Sequence, residues 1–187
     1  GIGLFATKDG KLCTDNTIKN CTVIMQDNWY LQLSPEIIPR SNESCIGIEL
    51  ASYCGDNNNG AATHLDRKNP DYFISKTREN TIVNNVVAGG SHGISMSNAH
   101  SNKILSNVIE NCSARGIIII SCTDSNLVYS NKFKNIGSTA IHLAYNCNRN
   151  FIKKNLIDGV LGVEGDGIKS YINCNGNRIE GNVIKNF

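Results

Sequence analysis

A short motif, Asn-x-Ile/Val-x-x-Asn, recurs along the chain and restricts its fold more than any other feature of the sequence. Five copies, 22, 24, 24 and 27 residues apart, begin at Asn80, Asn102, Asn126, Asn150 and Asn177. An earlier copy spans 16–21 and ends in cysteine instead of asparagine. Self-similarity at a period of roughly 20 to 50 residues indicates a repeat architecture, in which each unit stacks on the next.

A second motif lies about ten residues before each leading asparagine and consists of a small residue followed by alternating apolar positions. Its copies begin at Gly47, Gly93, Gly116, Ala140 and Gly167. Such alternation predicts short strands, and a Val-Ile pair after the second asparagine adds a third strand per repeat. The sequence therefore predicts an all-β fold, a right-handed single-stranded parallel β-helix of about six coils.

Asparagine and isoleucine are abundant, with 27 Asn and 24 Ile among 187 residues. Asparagine tolerates the left-handed conformation of tight turns, and stacked asparagine amides can hydrogen-bond from coil to coil. Isoleucine suits the buried face of a strand. We therefore expect asparagine ladders at the turns and isoleucine columns in the core, with Asn131 as one rung of a ladder.

The repeat runs through residues 1–187 as a single β-helix segment, and we expect it to belong to a longer chain because neither end shows a polar cap. Two insertions are predicted, at 26–45 and 51–79. The first contains Trp29 and Tyr30. Insertions in repeat proteins tend to lie on one binding face, although these could instead form a trimer contact or wrap a flank.

Composition excludes several classes of function. The net charge is only +2, so neither nucleic acid nor an anionic membrane is the expected partner. No apolar stretch reaches the roughly 20 residues of a membrane helix. The eight cysteines show no zinc spacing, so we predict no metal and no cofactor. Cys147 and Cys174 occupy equivalent positions, and we expect stacked, buried thiols there in preference to a disulfide.

Stacking converts positions in the repeat into spatial rows that could carry chemistry. One predicted row contains Glu49, Ser95, Ile118, His142 and Lys169, and the other contains His92, Arg115, Thr139 and Asp166. The glycine-rich turn before Gly167 adds Asp158 and Glu164. Two carboxylates could hydrolyse a glycosidic bond, whereas a cation with a lysine or histidine base could support elimination. The residues alone favour neither reaction.

These motifs resemble the parallel β-helix repeat of the pectate-lyase-like superfamily. The run His92-Gly-Ile-Ser is similar to a polygalacturonase signature, and Asp166-Gly-Ile is similar to another, but their order along the chain is reversed. The closer resemblance is to bacteriophage tailspike depolymerases. It implies a polysaccharide substrate, a homotrimer and an extracellular or virion-associated location.

The resemblance and the predicted rows together suggest a tailspike-like depolymerase that cleaves a bacterial surface polysaccharide. The expected catalytic residues are Asp166 and Glu164 as the acid/base pair, with Asp158 in reserve and His142 assisting. The expected substrate-binding residues are Arg115, Lys169, His92, Glu49, Trp29 and Tyr30. Two alternatives stay open: a uronate lyase or C5-epimerase that uses His142 or Lys169 as its base, and a non-enzymatic adhesin or fibre shaft.

Overall fold

The computed structural model describes residues 1–6, 12–25, 46–52, 77–161 and 165–186. The described residues form strands without helices, and every strand pairing is parallel. The strands of the first three coils are β1 (Ile2–Ala6), β2 (Cys13–Thr14), β3 (Thr17–Lys19), β4 (Thr22–Ile24), β5 (Ile46–Ser52), β6 (Thr77–Arg78), β7 (Thr81–Val83), β8 (Val86–Ala88), β9 (His92–Ser97), β10 (Ala99–His100), β11 (Lys103–Leu105) and β12 (Val108–Glu110). Those of the next three are β13 (Arg115–Ile120), β14 (Leu127–Tyr129), β15 (Lys132–Ile136), β16 (Thr139–Ala144), β17 (Phe151–Lys153), β18 (Leu156–Val160), β19 (Asp166–Tyr171), β20 (Arg178–Glu180) and β21 (Val183–Lys185).

Three six-stranded parallel sheets form the walls of the solenoid, so the predicted parallel β-helix is confirmed. Sheet A has the order β1-β5-β9-β13-β16-β19, sheet B joins β3 to β20, and sheet C joins β4 to β21. A small sheet, β10-β6-β2, lies between sheets A and B in the first three coils. Sheets A, B and C are each six strands high, which agrees with the expected number of coils.

The predicted insertion at 51–79 includes residues at both ends that the structure places in strands. Strand β5 continues through Ser52, and Thr77–Arg78 form β6, so residues at both ends of that span belong to the second coil. The pairing of β5 with β9 and of β6 with β10 explains why these residues stay in the solenoid. Residues 26–45 and 53–76 lie outside the described residues, so the role predicted for the insertions stays a prediction.

The core consists of isoleucine columns, as the repeat predicts. On sheet A, Ile48, Ile94, Ile117 and Ile141 pair in register, and all four are fully buried. Sheets B and C add their own columns in the same way. Each fully buried isoleucine contributes about 1.5–3 kcal/mol. The buried aliphatic column holds the register of sheet A and thereby aligns the polar side chains beside it.

Two asparagine ladders run the length of the solenoid and confirm that prediction. In both ladders, the backbone N–H and the Nδ2 of one asparagine donate to the Oδ1 of the asparagine in the next coil. For example, Asn131 receives both bonds from Asn107, at 2.9 and 3.0 Å. The second Nδ2 hydrogen of Asn131 reaches the carbonyl of Ile104 in the preceding coil. The ladder side chains in the middle coils are fully buried, so their amides satisfy turn groups that water does not reach.

The left-handed residues of these turns are not the ones expected. Positive φ angles occur at the residue before the second ladder asparagine, for example at Ser106 and Ser130, each with φ of 55°. Among the described residues, none of the ladder asparagines has a positive φ. The ladder positions therefore require asparagine for its amide hydrogen bonds, and the neighbouring residue makes the left-handed turn.

The described ranges contain no helical segment of the length and hydrophobicity that a bilayer crossing requires.

Candidate functional site

The outer face of sheet A brings together the two predicted polar rows. The pairing of β13 with β9 and β16 places Arg115 opposite His92 and Thr139, and Thr139 opposite Asp166. We call this the arginine row. The parallel lysine row runs Glu49, Ser95, Ile118, His142, Lys169. Successive members of a row are about 4.8 Å apart, so the rows form one continuous surface.

A glycine sets the position of Arg115. A Cβ atom at Gly116 would lie 2.6 Å from the Ala140 carbonyl oxygen and 2.6 Å from the Phe133 ring. Only glycine therefore lets strand β13 approach β16 and the core this closely. The residue just before this glycine is Arg115, which reaches the outer face at the edge of the strand.

Arg115 is the centre of the site because it contacts two histidines from neighbouring coils. Its Nε donates to His142 Nδ1 at 2.8 Å, and its Nη1 lies 3.3 Å from His92 Nε2. His92 Nδ1 in turn lies 3.0 Å from the Ser91 hydroxyl. A guanidinium only donates hydrogen bonds, so each imidazole must accept from Arg115 through a lone pair.

These contacts assign the tautomer of each ring. His142 accepts at Nδ1 and therefore carries its proton on Nε2, whereas His92 accepts at Nε2 and carries its proton on Nδ1. Both rings must be neutral to accept. Burial and the Arg115 charge lower the pKa of both His92 and His142 to about 4. Neither histidine has a spare lone pair with which to act as a base.

Among the described residues, the buried His142 Nε2 has no hydrogen-bond partner. Only 9% of this residue is exposed, so bulk water has little access to it. In the tautomer that Arg115 imposes, this nitrogen is a donor. The site therefore contains a buried N–H beside a guanidinium that lacks an acceptor within the described part of the chain.

Asp166 and Lys169 lie beside His142 and form an ion pair of 2.8 Å. Both side chains are close to half exposed, at 41% and 45%. They stand two coils away from Arg115 and one coil away from His142, because Arg115 pairs with Thr139 and Thr139 pairs with Asp166. The predicted patch of His142, Lys169, Arg115 and Asp166 therefore extends over three successive coils of sheet A.

Glu49 lies at the other end of the lysine row, where a cleft of about 170 Å³ is lined by Gly1, Ile2, Gly3, Phe5, Ile46 and Glu49. Burial raises the pKa of Glu49. Glu49 pairs with the buried Ser95 of the next coil.

The remaining predicted residues lie elsewhere or outside the described residues. Asp158 belongs to β18 in sheet C, where it pairs with Lys185 at 3.1 Å and accepts from Asn186. These two contacts lower the pKa of Asp158. Asp158 therefore lies in a different sheet from Asp166 and belongs to neither the arginine row nor the lysine row. Glu164, Trp29 and Tyr30 lie outside the described residues, so their assigned roles stay predictions.

Two contributors to the site were not predicted. Ser91 hydrogen-bonds His92, and the buried Ser97 hydroxyl on the same strand has no partner. The repeat contains no signal for either, because periodicity predicts which face a residue occupies but not what its side chain contacts.

Comparison with known protein families identifies the family to which this chain belongs. A family model described as "Periplasmic copper-binding protein (NosD)" matches residues 73–187, which is more than half of the chain. The chain belongs to the NosD family. No curated protein and no solved structure gives a significant match. The NosD match agrees with the β-helix and names no depolymerase.

The NosD description names copper, so the side chains of this chain should supply copper ligands if the description applies to it. Among the residues that the structure describes, no three His, Cys, Asp or Glu side chains converge. The two clustered histidines direct their lone pairs at Arg115, whose charge would repel a cation. Cys147 and Cys174 lie together, but the Cys147 thiol donates to backbone carbonyls, which disfavour its thiolate. The described residues of this NosD-family chain therefore do not fit a copper ion.

Proposed function

We propose that this chain binds an acidic polysaccharide along the outer face of sheet A and that Arg115 takes one of its carboxylates. The observation that carries the proposal is the environment of Arg115. Within the described residues its side chain hydrogen-bonds to two neutral imidazoles, which leave its charge uncancelled. Within the described part of the chain, no carboxylate forms an ion pair with it.

The donors that remain on Arg115 suit a carboxylate. Of the five guanidinium N–H groups, two point at the histidines, and the other three have no hydrogen-bond partner among the described residues. A planar guanidinium and a carboxylate can form two parallel hydrogen bonds. The surroundings therefore favour a ligand with acceptor oxygens and negative charge.

The shape of the surface favours an extended ligand. A chain that crosses the coils would follow the lysine row, in which Glu49, Ile118 and Lys169 are accessible and Ser95 and His142 are buried between them. The spacing between coils is fixed by backbone pairing at about 4.8 Å, so these contacts are preorganised. A polysaccharide offers repeated hydroxyl and carboxylate groups along such a path.

We further propose that the protein cleaves the polysaccharide that it binds. It would then act as a tailspike-like depolymerase on a bacterial surface polysaccharide. Asp166, with Glu164, would act as the acid/base pair, and Lys169 would hold the sugar carboxylate or serve as the base of an elimination. Both histidines are engaged with Arg115, so we assign them to holding Arg115 and donating a hydrogen bond. Because NosD proteins are described as periplasmic, we further propose a location outside the cytoplasm, either extracellular or on a virion. We also propose a homotrimer, as the resemblance to tailspikes implies.

The proposal is tested by measuring how the 187-residue chain binds a polyuronate and the same polymer after chemical reduction of its carboxyl groups. We expect binding to the acidic polymer and a loss of at least about tenfold for the reduced one, since a charged hydrogen-bonded pair contributes about 1.5–3 kcal/mol. Equal binding of both polymers, or binding of neither, would contradict the proposal.

Analysis of the polymer in the same samples distinguishes hydrolysis, elimination and binding without cleavage. New reducing ends without ultraviolet-absorbing products would indicate hydrolysis. New reducing ends with ultraviolet absorbance from an unsaturated sugar would indicate elimination. Binding of an unaltered polymer would reduce the proposal to a non-enzymatic adhesin.

A further inference from the structure

Two cysteines outside the polysaccharide site occupy equivalent positions in the fifth and sixth coils. Cys147 and Cys174 each lie three residues before a ladder asparagine, Asn150 and Asn177. Asn150 donates to the Asn177 side chain at 2.8 Å, so the two coils are in register at this point. The cysteines are therefore direct neighbours across the coil boundary.

The side chains of this pair also point in the same direction. Cys147 Sγ lies 3.1 Å from the Ala144 carbonyl oxygen, and Cys174 Sγ lies 3.2 Å from the Tyr171 carbonyl oxygen. Ala144 and Tyr171 are themselves partners in sheet A. Register neighbours in a parallel sheet have Cα atoms about 4.8 Å apart, which is inside the range of roughly 4.4–6.8 Å that a disulfide spans.

The two thiols differ in accessibility. Cys147 is fully buried, whereas Cys174 is partly exposed. The hydrogen bond from Cys147 lowers the pKa of Cys174, while burial raises the pKa of Cys147. An oxidant in solution can therefore reach Cys174, and the thiolate needed for exchange forms more readily there.

We propose that Cys147 and Cys174 form a disulfide that joins the last two described coils when the chain meets a disulfide oxidant. The Cys174 thiolate attacks one sulfur of the external disulfide, forms a mixed disulfide and releases the first thiol. Cys147 then loses its proton, attacks the Cys174 sulfur and releases the second thiol. Two electrons and two protons pass from the cysteine pair to the oxidant, which is reduced to two thiols.

The position of this bond gives it a structural role. All residues of β20 and β21 are exposed, and the apolar side chains Ile179 and Val183 are 49% and 55% exposed. A covalent link to the well-buried fifth coil would restrict the opening of the sixth coil, because it closes the chain between 147 and 174 into a loop.

The test treats the reduced 187-residue chain with oxidised glutathione, followed by peptide mapping by mass spectrometry and thermal unfolding. We expect a linked Cys147–Cys174 peptide pair and a rise in melting temperature of roughly 5–10 °C that a reductant reverses. Cys174→Ser should abolish both changes and, being partly exposed, should leave the fold intact. Cys21→Ser, a partly buried cysteine in the first coil, is the matched control and should retain both.

Two results would overturn the proposal. One is that both thiols remain open to alkylation after oxidation, and the other is that Cys174 is linked to a different cysteine. Neither result depends on polysaccharide binding, so the disulfide can fail while the proposed function stands.

Discussion

Replacing Arg115 with methionine should weaken binding of an acidic polysaccharide by roughly 10- to 150-fold, the equivalent of one charged hydrogen-bonded pair. Methionine keeps much of the apolar length of the side chain but removes the guanidinium. The measurement is a binding isotherm of the polyuronate on wild-type and variant chains. Binding of the carboxyl-reduced polymer should change little, because that polymer lacks the group that Arg115 contacts.

The matched control for this variant is Arg149→Met. Arg149 carries the same charge, but its side chain is 72% exposed and it pairs with Asp124 at 3.5 Å, away from both rows. Removing it lowers the net charge equally and should leave affinity within about twofold, because exposed charges contribute little. If the two variants weaken binding equally, the attraction is a general charge effect, and Arg115 has no special role.

Replacing Asn131 with alanine should lower the free energy of unfolding by about 3 kcal/mol. The Asn131 side chain accepts two hydrogen bonds from Asn107 and donates to both Ile104 and Asn155. Truncation leaves the backbone N–H and one amide hydrogen of Asn107 buried without an acceptor, and each such group costs about 1–3 kcal/mol. Denaturant unfolding of the wild-type and variant chains measures the difference.

Asn175→Ala provides the comparison for the ladder. Asn175 also lies in an asparagine-rich turn, but its side chain is exposed and donates only to the Asn173 carbonyl, at 3.3 Å. Water can replace that bond, so we expect a loss below about 0.5 kcal/mol. Equal losses for the two variants would show that the ladder amides contribute no more than surface amides do.

The sequence predicted those features of the fold that repetition enforces. Aligning the Gly-Ile motifs placed Arg115 beside His92, and His142 beside Lys169, because a period-2 strand fixes which residues pair. The ladder asparagines were predicted for the same reason. The two-residue strands β2, β6 and β10 were not predicted, since two residues are too few to show a period.

The chemistry of the site was less predictable than its position. The rows showed that Arg115 and two histidines are neighbours, but they did not show that the guanidinium donates to both rings. That contact changes the role of His142 from a possible base to a donor. It depends on side-chain conformations and burial, which periodicity does not encode. Asp158 was predicted in a glycine-rich turn that does not repeat, so alignment could not place it, and the structure has it in β18.

The central claim is that two neutral imidazoles hold Arg115, and the most direct test is a nuclear magnetic resonance titration of the ring nitrogens of His92 and His142. At neutral pH we expect a proton on Nδ1 of His92 and on Nε2 of His142, with protonation of both rings only near pH 4. The unfolded chain takes up these protons near pH 6.5, so stability falls as the pH drops from about 6.5 to about 4. A ring that titrates near its ordinary pKa, or that carries its proton on the other nitrogen, would contradict the account.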